Sequence, residues 1–220
     1  MARPPTVAPP ERARSLLLAA CAPPFSGRSI MKYVLAAIVG LVGLVLFGQG
    51  AWIFAKAILA QHLLERAFTE TLATGQSVKP WSWADTWPVA RVEVPRLNKG
   101  AIVLHSSSGQ ALAFGPGHVE QTPPAGAEGT AIYAAHRETH FAFLGDVVVG
   151  DEIKVTRRDG AVHRFHVTGT SIVHWNASGI DPLSRGRNLV LATCWPLDGK
   201  VPGPLRYLVH AELIENAATR

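Results

Sequence analysis

The chain has 220 residues, room for one ordinary domain and an additional segment, and its 48% hydrophobic and 17% charged residues exclude an intrinsically disordered protein. The formal net charge of +5 sits at one end, because Arg3, Arg12, Arg14, Arg28 and Lys32 against Glu11 give +4 before Tyr33 and leave +1 beyond it. This is a basic tail at a membrane boundary rather than a basic face, and no later stretch interleaves Lys and Arg with aromatics, so nucleic acid is not an expected partner.

Residues 1–32 read as a basic cytoplasmic N-terminus. Leu18-Ala19-Ala20-Cys21 resembles a lipoprotein processing site, but the apolar stretch before it is too short for a signal peptide. Met31-Lys32 reads as a natural start, with residues 1–30 an extension; an intact native mass beginning before Met31 would refute that reading. Residues 33–55 carry no charge and one clearly polar side chain, Gln49. About 20 apolar residues suffice to cross a hydrocarbon core as a helix, so this run is expected to span a bilayer. A cleaved signal peptide is the competing reading. The run continues through Trp52, Ile53 and Phe54 into Lys56 without a small-x-small cleavage site, which favours an uncleaved anchor. The basic flank places the N-terminus inside and the rest of the chain across the membrane.

Residues 56–88 read as a juxtamembrane stalk and linker. Ala57–Leu72 repeats apolar residues at helical spacing, and the segment from Thr74 to Pro88 holds Gly75, Pro80, Trp81, Trp83 and Trp87. It is either a linker or a strap packed on the domain that follows. From residue 89 to 216 the pattern is that of strands: Arg91–Pro95, Ala101–Leu104, Thr130–Ala135, Glu152–Thr156, Ala161–Val173, Asn188–Thr193 and Arg206–Ile214, with a short helix expected around Phe141–Val147. Gly, Pro, Asp and Asn punctuate the gaps. Seven to eight short strands with few helices predict a mainly β fold, a closed or nearly closed barrel.

Cys21 and Cys194 fall on opposite sides of the membrane in this topology and cannot pair. Cys194 is then a lone thiol in an oxidising compartment, which points to reactivity. An isolated cysteine is more often an inert small hydrophobe, but Cys194 stands at a strand end before Trp195-Pro196, where side chains reach a groove. A thiol becomes a good nucleophile beside a base or cation. His136 ends another apolar strand in an equivalent position, and two neighbouring strands ending at one rim would bring the two together. Arg206 opens the final strand after Pro202-Gly203-Pro204, where an antiparallel neighbour would place it beside the thiol as an oxyanion donor; a surface arginine capping a strand is the alternative. His136 and His140 do not form a zincin pair, because Arg137 stands where that motif needs Glu and no third ligand is apparent. No metal or other cofactor is expected.

TWPVARVEVPRL, ALAFGPGHVE, AAHRETHFAFL, LVLATCWP and PGPLRYLVHAE together resemble the sortase family, and within it the Gram-negative, marine proteobacterial class GN, from about Lys79 to Ile214. The resemblance implies the sortase β-barrel and a cysteine transpeptidase. Cys194 would attack a sorting signal near the C-terminus of a secreted protein, His136 would be acid and base, and Arg206 would hold substrate and oxyanion. The thioester would pass to an amine acceptor. The family's Thr-Leu-x-Thr-Cys is Val190-Leu191-Ala192-Thr193-Cys194 here, so the first Thr is missing while Thr193 is kept as a substrate-binding residue. Glu138 stands where the subgroup often has Asp. Calcium ligands known for some sortases find no match. Rival readings are another cell-envelope cysteine peptidase or transpeptidase, or a non-catalytic membrane-tethered β-domain. An L,D-transpeptidase would show Ser-His-Gly-Cys, and a papain-like enzyme would place Cys before His.

Overall fold

A computed structural model describes residues 27–199, 201 and 203–214. Cys21, most of the basic N-terminus, Pro202 and the last two residues of the expected domain lie outside the described residues. The chain divides between Trp52 and Ile53 into two units.

The anchor run and the amphipathic stretch after it form one helix, α1 (Gly27–Thr74). The apolar side chains of residues 30–59 are exposed, and the helix is long and apolar enough to cross a membrane. Past Ile53 the periodicity acquires a purpose. Ala60, Leu64, Ala67, Phe68 and Thr71 are buried at spacings of three and four, as expected for one helical face. Leu64 and Phe68 pack with Ile102, Leu104, Ala111 and Phe114, while Arg91 stacks over the Phe68 ring and pairs with Glu65. The helix closes where the Gly75 N–H donates to the Thr71 carbonyl at 2.8 Å. The segment after it is a strap on the domain. Trp81 meets Phe114 edge-on, Trp87 stacks on His105, and the Thr86 hydroxyl donates to the His105 carbonyl at 2.6 Å, whereas Trp83 is exposed.

Eight strands follow: β1 (Pro88–Val94), β2 (Lys99–His105), β3 (Gly117–His118), β4 (Gly129–Ala134), β5 (Glu152–Arg157), β6 (Val162–His174), β7 (Arg187–Cys194) and β8 (Leu205–Leu213). They close into a barrel in the order β1-β2-β3-β4-β7-β8-β6-β5. All seven expected strands are present, and the short helix expected near residue 141 is a 3-10 turn at Ala142–Asp146. The two-residue β3 and the short helix α2 (Gly109–Leu112) were not legible. Gly117 joins the sheet by close approach, since a Cβ there would lie 2.3 Å from the Ser106 carbonyl oxygen.

Alternation along the strands fills the barrel with Val92, Val94, Val103, Tyr133, Ile153, Val155, Phe165, Leu189, Leu191 and Val209. The outward residues on one side carry the site described below. The barrel's return at β5 is tied down by a carboxylate. Asp151 accepts from Arg96 Nε and, at 2.7 Å, from Arg96 Nη2, and the Val148 N–H donates to it at 2.9 Å. The hydrogen bond from Arg96 holds Asp151 below the usual carboxylate range against the opposing effect of its burial. A carboxylate with a depressed folded-state pKa contributes its stability above the unfolded value, about 3.9, and loses it as pH falls through the folded value. The thermal midpoint is therefore expected to drop more steeply below about pH 4 in the native chain than in Asp151→Asn. Parallel acid limbs in the two proteins would show that this carboxylate is not a source of acid lability.

Candidate active site

Two features of the sheet gather the site. First, β4 and β7 are parallel neighbours with Gly129 opposite Arg187 and Ala134 opposite Ala192. The Ala135 N–H continues the ladder by donating to the Ala192 carbonyl at 3.1 Å, so the same offset carries His136 to the level of Cys194. Second, β7 and β8 are antiparallel, with Cys194 directly opposite Arg206. Directly paired residues on adjacent strands bring their Cβ atoms within about 5.5 Å, so the thiol and the guanidinium share one face. His136, Cys194 and Arg206 all line one groove of about 440 Å³.

Parity explains which side they take. Ala131, Tyr133 and Ala135 point inward on β4 and its extension, as do Leu189 and Leu191 on β7. His136 and Cys194 therefore belong to the outward set. Cys194 is partly exposed and His136 exposed, so both are open to a substrate. Thr193 has the inward parity and is 2% exposed; its hydroxyl donates to the Ala135 carbonyl at 2.8 Å and ties the two strand ends together. It also lines the groove beside Cys194.

Arg206 is held by its own loop. Its Nη1 donates to the carbonyls of Gly203 and Leu205, each at 2.9 Å. Away from these polar groups the groove is mostly apolar, with Ser178 beside Ile180. Leu112 and Val119 stand on one side, Trp175 and Ile180 on another, and Ile132, Ala134, Ala192 and Leu208 make the floor. Trp175 is 62% exposed, an aromatic face left open to whatever fills the groove. An apolar channel leading to a thiol, an imidazole and a guanidinium suits an extended acyl donor.

The neighbouring histidine, His140, is pushed below its ordinary range first by burial and further by His136. Three other histidines of the domain have structural surroundings: His105 stacks on Trp87, His118 Nε2 lies 3.1 Å from Thr122 Oγ1, and His210 Nε2 lies 2.8 Å from Ser171 Oγ. Sequence reasoning passed over the groove walls and Arg137. Leu112, Val119 and Trp175 lie in segments without strand periodicity, so nothing local marked them. Thr193's inward direction could have been read from its alternation with Leu189 and Leu191.

A family model described as Sortase domain matches residues 92–214. The chain belongs to the sortase family. This sortase is 23% identical over 124 residues to Sortase D of Bacillus subtilis (strain 168), an alignment covering 56% of this chain and 62% of that one. The structure is similar to Sortase C1 of GBS Pilus Island 1, with TM-score 0.52 and 25% identity over 59% of this chain and 66% of that one. It is also similar to the Clostridium perfringens Sortase D5 transpeptidase, with TM-score 0.54 and 21% identity over 70% of this chain and 96% of that one, a likeness of fold. The chain thus spans a little under two thirds of the first two relatives.

Proposed function

We propose that this chain is a membrane-anchored sortase of the cell envelope, acting as a cysteine transpeptidase on secreted proteins with a C-terminal sorting signal. The observation that carries the reading is the convergence of His136, Cys194 and Arg206 at one end of an apolar groove on the β4–β7–β8 face. The Cys194 thiolate adds to a backbone carbonyl carbon, and the electron pair moves to oxygen. Arg206 faces that oxyanion. Collapse breaks the C–N bond as His136 gives its proton to the leaving amine, and a thioester remains. An acceptor amine then adds to the thioester while His136 takes its proton, and the C–S bond breaks to restore the thiolate. Thr193 supports substrate contact from beneath by holding the groove floor at the Cys194 end.

The test is to incubate the full chain with a peptide library and read Cys194 by mass spectrometry. The expected adduct is the N-terminal part of a cleaved peptide, released on adding an amine. A Cys194 that alkylates readily and yet captures no acyl fragment from any peptide would sink the reading.

Residues 33–55 supply the bilayer-spanning part, and the basic flank favours an inside N-terminus with residues 89–216 periplasmic. Membership of class GN, a Gram-negative group that the motifs resemble, would agree with such a compartment. Protease added to spheroplasts is expected to digest the domain beyond the anchor. Full protection, with digestion only after lysis, would mean the opposite orientation.

A further inference from the structure

The residue after His136 is an arginine with almost no exposure. Arg137 is 3% exposed, and its guanidinium reaches three acceptors: Glu138 Oε1 from Nε at 2.7 Å, the Pro196 carbonyl from Nη1 at 2.9 Å and the Val201 carbonyl from Nη2 at 3.1 Å. Both carbonyls belong to the loop that leaves Cys194 and returns to Arg206. Gly199 keeps the seat open, because a Cβ there would meet Arg137 Nη1 at 3.0 Å and Pro196 Cγ at 2.9 Å.

These bonds have a counterpart on the other side of the pair. Thr193 ties to the Ala135 carbonyl just before Cys194 and His136, and Arg137 ties to Pro196 just after them. The two strand ends are thus pinned before and after His136 and Cys194, which line one groove. Burying a guanidinium is costly, and an apolar residue of similar volume often stabilises as well. What an apolar residue cannot do is hold two loop carbonyls at set positions with a rigid planar fork.

We propose that Arg137 is a positioning residue that fixes the spacing of the His136 imidazole and the Cys194 thiol by bracing Pro196 and Val201 against the end of β4. The assignment rests on His136 and Cys194 being the reacting pair. Lysine would keep the charge but reach the two carbonyls with one ammonium, so the loop would loosen. The charged and titratable groups around the pair are Arg206, Arg137, Glu138 and His140. Arg137→Lys keeps the positive charge at that position and changes the directed donors, including the one that Glu138 accepts.

The experiment is iodoacetamide alkylation of Cys194 in the full chain in detergent, followed at peptide level across pH 5–10, with circular dichroism for folding. Native chain, His136→Ala, Arg137→Lys and Gly199→Ala are compared. His136→Ala sets the profile of an uncoupled thiol. Arg137→Lys is expected to move toward that profile, losing on the order of tenfold or more in rate near neutral pH, since displacements of about 1 Å cost up to about a hundredfold in well-aligned sites. Gly199→Ala, which crowds the same seat, is expected to move the same way. A folded Arg137→Lys whose profile superimposes on the native one would overturn the proposal while leaving the His136–Cys194 pair standing. Should that variant fail to fold, the same criterion applies to Gly199→Ala. A His136→Ala profile identical to the native one would remove the pair itself, and the proposal with it.

Discussion

Cys194→Ala is expected to abolish both acyl capture and amine transfer while the barrel stays folded. The thiol lies at the last residue of β7, partly exposed and facing the groove rather than the barrel interior. Its removal leaves no enclosed cavity, so the cost in stability should stay within about 1 kcal/mol. The chemical loss has no such mitigation, because no other described side chain in the groove is a nucleophile that can form a thioester. His136 and Arg206 would remain, and with them the ability to bind peptide, but binding alone supplies only a small residue of rate when the nucleophile of a catalytic set is lost. The measurement is single-turnover peptide cleavage beside the thermal midpoint. Cleavage by the alanine variant at a rate near that of the native chain would end the thioester mechanism.

Arg206→Lys is expected to lower the acylation rate on the order of 10²–10³, close to the effect of Arg206→Ala. The guanidinium sits opposite Cys194, with Nη1 committed to the Gly203 and Leu205 carbonyls. That commitment fixes the plane of the fork and leaves Nε and Nη2 without a hydrogen-bond partner among the described residues. A planar group held at one corner can present directed donors to a developing oxyanion without reorganising. A lysine in the same place must choose between the loop carbonyls and the substrate, since its ammonium is a single point charge. If charge alone mattered, through attraction to the thiolate, lysine would retain most of the activity. Acylation rates for both variants, with thiol alkylation followed in parallel, separate the two cases. A lysine variant within a few-fold of the native rate would show that Arg206 acts by charge and not by direction.

The parts of this protein legible in the sequence are those governed by short-range patterns. The apolar run of residues 33–55 announces a helix because every backbone group in it can pair locally, and the seven longer strands announce themselves because a pleated chain alternates its faces every residue. His136, Cys194 and Arg206 were legible as strand-end residues for the same reason. Their meeting was legible only on the condition that their strands are neighbours, and through the family resemblance. It depends on β4 and β7 lying side by side in parallel register although 58 residues separate Gly129 from Arg187, and on β8 pairing with β7 rather than following it at a distance. Strand order is a long-range choice that no local period encodes. The same holds for β3, two residues long and placed only by its neighbours, and for the last turns of α1, whose amphipathic spacing did not say what Leu64 and Phe68 would cover. Arg137 and Glu138 are adjacent charged residues in the sequence, yet one is buried and the other exposed, because only the folded loop after Cys194 brings two carbonyls to the first. A hydrogen bond across 59 residues exists only once the barrel has closed, which is why the chain's periodicities determined the elements and the tertiary structure alone decided the site's geometry.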